Sequence, residues 1–218
     1  MENNYFAKYN FNPFQFAGNE RASRHFHNKM ARYFSTCSNV LDLGCGKGEF
    51  LQALKGAAKS GFGIDSFDEA IQHCLSKGLL AEKWEVGEYL LCKENNLSKY
   101  DGVYCAHLIE HLTPERVFEL FALLFESTKP GTKLVFVTPN FDDLDVSGSI
   151  FWMDLTHVRP YPGLLVQRML ESVGFRDTTY KAVYGLGLNK SIIINYVLQK
   201  IRFGDKIYKP VSIITAIR

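Results

Sequence analysis

The sequence predicts an α/β chain built on a doubly wound, mostly parallel sheet with helices on both faces. Three observations point there. Short apolar runs alternate with helical patterns along the 218 residues, as in successive β-α-β units. The runs are brief and largely apolar, as strands covered on both faces are. The first of them, Asn39-Val40-Leu41-Asp42-Leu43, ends in three glycines, Gly44, Gly46 and Gly48, just before a helical pattern.

Taken in order, Glu20 to Phe34 is an amphipathic lead-in helix rich in Arg, His and Lys. After the first strand, Glu49 to Leu54 is helical with Phe50, Leu51 and Leu54 as its apolar stripe. Gly61 to Ile64 is a second strand. Ser66 is expected to cap the following helix, with Glu69 at the capping-box spacing and Ala70, Ile71, Cys74 and Leu75 on one face. Lys83 to Val86 is a third strand and Asp101 to Cys105 a fourth. Thr113-Pro114 opens a helix carrying Val117, Leu120, Phe121, Leu124 and Phe125 inward. Lys129-Pro130-Gly131 breaks it before a fifth strand, Lys133 to Val137. Gly163 to Val173 is a helix closed by Gly174 in a left-handed cap. β-rich runs follow at Ser191 to Val197 and Val211 to Ile217. The organisation is a single domain over 1–218, with 1–36 as a helical lead-in and 176–218 completing the sheet.

Composition narrows the function classes. Lys+Arg 25 against Asp+Glu 23 leaves a charge of +2, no field for gathering nucleic acid, so a small-molecule partner is expected. No apolar run approaches the roughly 20 residues that span a bilayer, and Met1 to Tyr5 has no secretion-signal layout. The 5 cysteines include no C-x-x-C pair and read as reduced structural thiols. A cytoplasmic protein without membrane attachment is expected.

In parallel sheets ligands bind beyond the carboxyl ends of the strands, at the switch in strand order. Asp42-Leu43-Gly44-Cys45-Gly46-Lys47-Gly48-Glu49 lies there. Its glycines allow a tight turn and close approach, and the next helix turns free N–H groups toward a ligand. The spacing is G-x-G-x-G, only half the dinucleotide fingerprint, and no G-K-[ST] follows.

Val40 to Phe50 resembles the first motif of class I S-adenosylmethionine-dependent methyltransferases. The resemblance implies their Rossmann-like, seven-stranded fold and S-adenosylmethionine as cofactor, with S-adenosylhomocysteine as product. It implies that the glycine turn packs on the methionyl part and that Asp42 receives the amino group. Asp65, 23 residues on and ending the second strand, would accept both ribose hydroxyls. Glu85 would meet the adenine amino group, with Glu88 as its rival. The implied cofactor surface is Asp42, Gly44, Cys45, Gly46, Gly48, Asp65, Ser66, Glu85, Val86, His107 and Leu108. Tyr100 to Leu112, Thr138-Pro139-Asn140, Phe151 to Pro160 and Phe16-Ala17-Gly18 with Arg21 further resemble a subset related to O-antigen and polysaccharide biosynthesis. Leu155 replaces that subset's usual proline.

His107-Leu108-Ile109-Glu110-His111 also spells H-x-x-E-H, a zinc pattern. Pro114 leaves too short a helix and no third ligand is marked, so no metal is expected. Methyl transfer needs the acceptor held in line with the methyl carbon, and a hydroxyl acceptor benefits from a base such as histidine. The candidates are His157, then His111, with Arg159 to clamp an anionic acceptor. His157 is equally a histidine bonded within its own loop, and Asp154 either orients it or turns that loop. Asn140 would meet acceptor or cap a turn. Phe141 to Phe151, with Phe11 to Phe16, is a candidate lid. The function expected is methyl transfer to a small polar acceptor, a sugar or glycan-related hydroxyl among them. The alternatives are a Rossmann-type NAD-dependent oxidoreductase and a protein that binds the cofactor without catalysis.

Overall fold

The computed structural model describes residues 20–183 and 211–218, with side chains from residue 23 onward. It holds a seven-stranded sheet: β1 (Asn39–Leu43), β2 (Ser60–Asp65), β3 (Ala81–Lys83), β4 (Gly102–Ala106), β5 (Lys133–Pro139), β6 (Arg176–Val183) and β7 (Val211–Ile217). Their order is β3-β2-β1-β4-β5-β7-β6. The first five strands are parallel, and β7 runs antiparallel between β5 and β6. The chain winds outward from β1 to β3, returns to β4 and winds the other way, so the switch in strand order lies between β1 and β4.

The strands bury both faces in strict alternation, as the pleat requires. On one side Leu41, Leu43, Val103, Cys105, Leu134, Phe136, Ile214 and Ala216 form one core. Val40, Tyr104, Val135, Val137, Val211 and Ile213 face a second. The first core is closed by α4 (Val86–Leu91), α5 (Pro114–Ser127) and α7 (Gly163–Val173), the second by α1 (Glu20–Ala31), α2 (Glu49–Gly56) and α3 (Asp68–Ser76). A short α6 (Leu144–Gly148) lies in the connection after β5.

Local chemistry sets the helix ends. Thr113 caps α5 by accepting from the Arg116 N–H, with Pro114 in the first turn. Val117, Leu120, Phe121 and Leu124 then fall on one stripe and are buried, as a 3.6-residue period demands. Gly174, at φ 118°, ends α7 in the left-handed conformation.

Several expectations need correction. The third strand is Ala81–Lys83, not Lys83 to Val86, and Val86 opens α4. The reason is a cap: the Glu85 carboxylate accepts from the Glu88 N–H at 3.1 Å and starts a helix there, overriding the strand preference of valine. Ser66 does not cap α3. The helix begins one residue later than that cap requires, with Phe67 as its extended N-cap residue, and it is Asp65 that accepts from the Phe67 N–H at 3.0 Å. Leu75, expected inward, is 48% exposed, leaving Ile71 and Cys74 as the buried stripe. The run Ser191 to Val197 and the segment Phe11 to Phe16 lie outside the described residues. Among the described residues no helix is long and apolar enough to cross a membrane.

Phe121 is fully buried and meets the Phe136 ring edge-on at 5.0 Å between centroids. Phe121→Ala is expected to cost about 3–5 kcal/mol, read as a lower urea midpoint with unchanged slope.

Candidate active site

The site is assembled at the carboxyl ends of β1, β2, β4 and β5. The glycine turn after β1 has Gly44, Gly46 and Gly48 at φ 73°, 51° and 77°, values that side-chain-bearing residues adopt only with strain. The N–H groups of Gly44 and Cys45 both donate to the Ile64 carbonyl at 2.9 Å, and Gly46 donates to Asp65 Oδ2 at 2.8 Å. Asp65 thus grips the turn with one oxygen and the start of α3 with the other. Each carboxylate oxygen keeps a further lone pair for a ligand. Beside Gly46 there is open space, whereas Leu108 leans on Gly44, 3.4 Å from where a Cβ would stand.

One glycine that sequence reasoning did not single out as functional is Gly63. A Cβ there would lie 2.7 Å from both Cβ and Sγ of Cys45, so the missing side chain is what lets the turn seat on β2. Cys45 is a packed thiol whose S–H, like that of Cys74, faces the Gly46 carbonyl, and the neighbouring Cys74 together with burial pushes its pKa far up. Asp42 is 2% exposed. Burial, with Cys74, Asp65 and Glu49 nearby, drives its carboxyl well above the usual range. A carboxyl so placed favours a cationic partner. Glu85 is exposed and capping α4, with Val86 buried behind it and Ser66 exposed beside Asp65.

After β4 the backbone turns sharply. His107 sits at φ 53°, a left-handed conformation that costs of order 1–3 kcal/mol in a residue with a side chain. Its N–H is tied to the Val137 carbonyl and its Nδ1 meets Glu110 Oε1 at 3.1 Å. Glu110 is fully buried and its Oε2 accepts from the Thr138 hydroxyl at 3.2 Å. Burial acts to lower the His107 pKa, but the bond and charge of Glu110 prevail and raise it. Burial likewise acts to raise Glu110, and His107 holds it below the ordinary carboxylate range. The Glu110 carbonyl accepts from Val158 and Arg159 N–H groups at 2.8 and 3.3 Å, which draws the Phe151 to Pro160 loop onto the end of β4.

That loop brings together residues 46 positions apart. The His111 and His157 rings lie 4.8 Å apart between centroids. His157 stacks on Phe151 at 4.3 Å, and its Nδ1 donates to the Phe151 carbonyl at 2.6 Å. His111 Nδ1 lies 2.9 Å from the Thr156 hydroxyl and 3.2 Å from the Thr156 carbonyl. Thr156 in turn donates its hydroxyl and N–H to Asp154 Oδ1. Partial burial acts to raise the Asp154 pKa, but those bonds and the two imidazoles lower it. With each Nδ1 serving as donor, each Nε2 carries the free lone pair.

Arg159 is placed otherwise: exposed, its guanidinium lies over Tyr161 at 5.1 Å and its Nε donates to the Pro160 carbonyl. The Asn140 side chain accepts from Ser212 and Tyr180, joining β5 to β7 and β6. Between Phe141 and Phe151, the expected lid, α6 is capped by Asp143. A residue that sequence reasoning missed is His27 of α1. Its ring lies beside Phe26 and Phe50, and its buried Nδ1 has no hydrogen-bond partner among the described residues.

Strand order with one antiparallel strand, a glycine turn after β1 and a carboxylate ending β2 together define a class I methyltransferase fold. Residues 16–180 match the methyltransferase-domain family, and the chain belongs to that family: it is an S-adenosylmethionine-dependent methyltransferase. A solved S-adenosylmethionine-dependent methyltransferase from Archaeoglobus fulgidus is 28% identical, covers 99% of this chain and 100% of its own, and superposes with a TM-score of 0.74. Human N-acetylserotonin methyltransferase, solved with S-adenosylmethionine, is 14% identical, with 90% of this chain and 51% of that one covered at a TM-score of 0.61. Phosphoethanolamine N-methyltransferase 2 of Haemonchus contortus, also solved with S-adenosylmethionine, is 13% identical, with 83% and 48% covered at 0.57. No curated protein matches. The oxidoreductase alternative is thereby corrected; the G-x-G-x-G spacing belongs to the methyltransferase turn.

Burial, with the charge of nearby His107 as the lesser cause, lowers the His27 pKa to about 4 from 6.5. The unfolded chain therefore takes up a proton first as pH falls. His27's contribution is complete above pH 6.5 and is lost between there and about 4, a loss of roughly 3–4 kcal/mol. His27→Phe is expected to flatten the stability profile in that window, measured by urea unfolding at successive pH values. Asp65→Ala is expected to lower stability by about 1–3 kcal/mol, because the N–H groups of Gly46 and Phe67 lose their acceptor. It should also remove the thermal stabilisation that S-adenosylhomocysteine confers on the parent protein.

Proposed function

We propose that the protein methylates a hydroxyl of a small polar acceptor, of the sugar or glycan-related kind, in the cleft between the glycine turn and the Phe151 to Pro160 loop. The single observation that carries this reading is the His111–His157 pair, whose Nε2 lone pairs are left free one turn of chain beyond Leu108, the residue packed on the glycine turn. The motif resemblance to the polysaccharide-related subset supports the acceptor class.

In this reading Asp42 receives the cofactor's amino group, a cation suited to a buried carboxyl. Asp65 offers its two remaining lone pairs to the ribose hydroxyls. Gly46 provides the open surface for the methionyl part, with Gly44, Cys45 and Gly48 shaping the turn. Ser66, Val86 and Leu108 line the adenosine side and Glu85 meets the adenine. His107 borders the cleft. S-adenosylmethionine supplies the methyl carbon: the acceptor oxygen forms the new C–O bond as the C–S bond breaks and its electron pair stays on sulfur. His157 Nε2 accepts the acceptor's proton, with His111 beside it. Asp154 orients the loop through Thr156 and keeps a negative charge near the imidazolium that forms. Arg159, exposed at the loop's end, meets an anionic group on the acceptor.

A panel of hydroxyl and amine acceptors, monitored for S-adenosylhomocysteine release, tests the reading. Turnover with hydroxyl acceptors is expected. His157→Ala should lower kcat by roughly 10²–10⁴-fold while the thermal shift with S-adenosylhomocysteine persists. Turnover with amines alone, or undiminished turnover in His157→Ala, overturns it. Binding without release from any acceptor supports the non-catalytic alternative.

A further inference from the structure

We propose that Glu110, His111 and His157 bind a divalent first-row transition-metal cation, leaving coordination positions open toward the acceptor. One ligand atom from each of the three lies within 4.8 Å of the others. This is not the ligand set of the H-x-x-E-H pattern: His107 bonds Glu110 and stands outside the cluster, Glu110 and His111 come from the single 3-10 turn Ile109–His111, and His157 comes from the loop.

The surroundings are those of a site built to hold a cation. Metal-bound histidines characteristically donate their second ring nitrogen to a carbonyl or carboxylate, which orients the ring and its lone pair. Both rings here do so, His157 to the Phe151 carbonyl and His111 to Thr156. The Glu110 carboxylate is steadied by His107 and Thr138, one on each oxygen, and each oxygen retains a lone pair. Asp154 Oδ2 stands 3.9 Å from His157 Nε2 and adds negative charge. The cluster therefore combines two carboxylates with two imidazoles around a space that a dication would neutralise.

Around metal–ligand bonds of about 2.1 Å, ligand atoms stand roughly 3–3.5 Å apart. Binding then draws the three together by about 1–2 Å, a distance that side-chain rotations cover. Two imidazoles and one carboxylate suit Zn²⁺, Mn²⁺ or Fe²⁺ rather than all-oxygen cations such as Mg²⁺, and three protein ligands leave room for another group. With the cation bound, His157 Nε2 is a ligand and no longer the base: an acceptor hydroxyl coordinated there would lose its proton to water more readily. This role rests on the acceptor proposed above; the existence of the site does not.

The test uses the full chain, stripped with a chelator and titrated calorimetrically with ZnCl₂, MnCl₂ and MgCl₂. One equivalent of Zn²⁺ or Mn²⁺ per chain is expected, with Mg²⁺ weaker. His111→Ala and His157→Ala, at half-buried positions that do not carry the Glu110 bonds, should each weaken binding at least tenfold. His25→Ala, exposed on α1, should bind as the parent does. No binding, or equal affinity in all variants, overturns the site. Failure of the acceptor reading is read separately: metal bound with no hydroxyl methylated removes the acceptor and keeps the site. Turnover in chelator-stripped protein that still depends on His157 removes the metal's part in the reaction and keeps the base, while the titration alone decides the site.

Discussion

The functional end of the molecule depends on one buried carboxylate. Glu110 is withdrawn from water, a placement that costs several kcal/mol for a charged group unless its lone pairs are occupied. Its bonds come from three stretches: His107 before it, Thr138 at the end of β5, and, through its carbonyl, Val158 and Arg159 of the following loop. Satisfying that single residue forces the β4 and β5 ends and the loop into one arrangement. The left-handed backbone of His107 is held within the same arrangement, because its ring must reach Glu110 and its N–H must reach Val137. Strain of this kind persists where surrounding bonds over-determine it.

A second carboxylate organises the glycine turn in the same manner. Asp65 accepts from Gly46 and from Phe67, so the glycine turn and the start of α3 are set by one side chain. The turn can approach only because Gly63 presents no side chain beneath Cys45. The two halves meet where Leu108 rests on Gly44.

Much of this was legible in the chain. Thr113-Pro114 and Gly174 act through their nearest neighbours, where propensity and capping decide the outcome, and the glycine turn with the strand-ending Asp65 was legible from a compact motif and its spacing. The misread stretches were those where a side chain competed with propensity. Glu85 started a helix where a strand was expected, and Asp65 holds the Phe67 N–H while the helix starts one residue beyond where a Ser66 cap would place it. Gly63 carried no signal, because its role exists only against Cys45 in the glycine turn after β1. His27 carried none either, since nothing in a helical pattern tells that its ring nitrogen is buried beside Phe50.

By itself the sequence determined the class of fold, the position of the glycine turn and the identity of its methyl-transfer family, because these rest on period, short-range caps and a compact motif. Only the tertiary structure decided that β7 inserts antiparallel between β5 and β6, and that His157 stands against His111 and Glu110. Both are pairings between residues far apart in the chain. Their partners are chosen by which faces and lone pairs remain unsatisfied once the parallel sheet has formed.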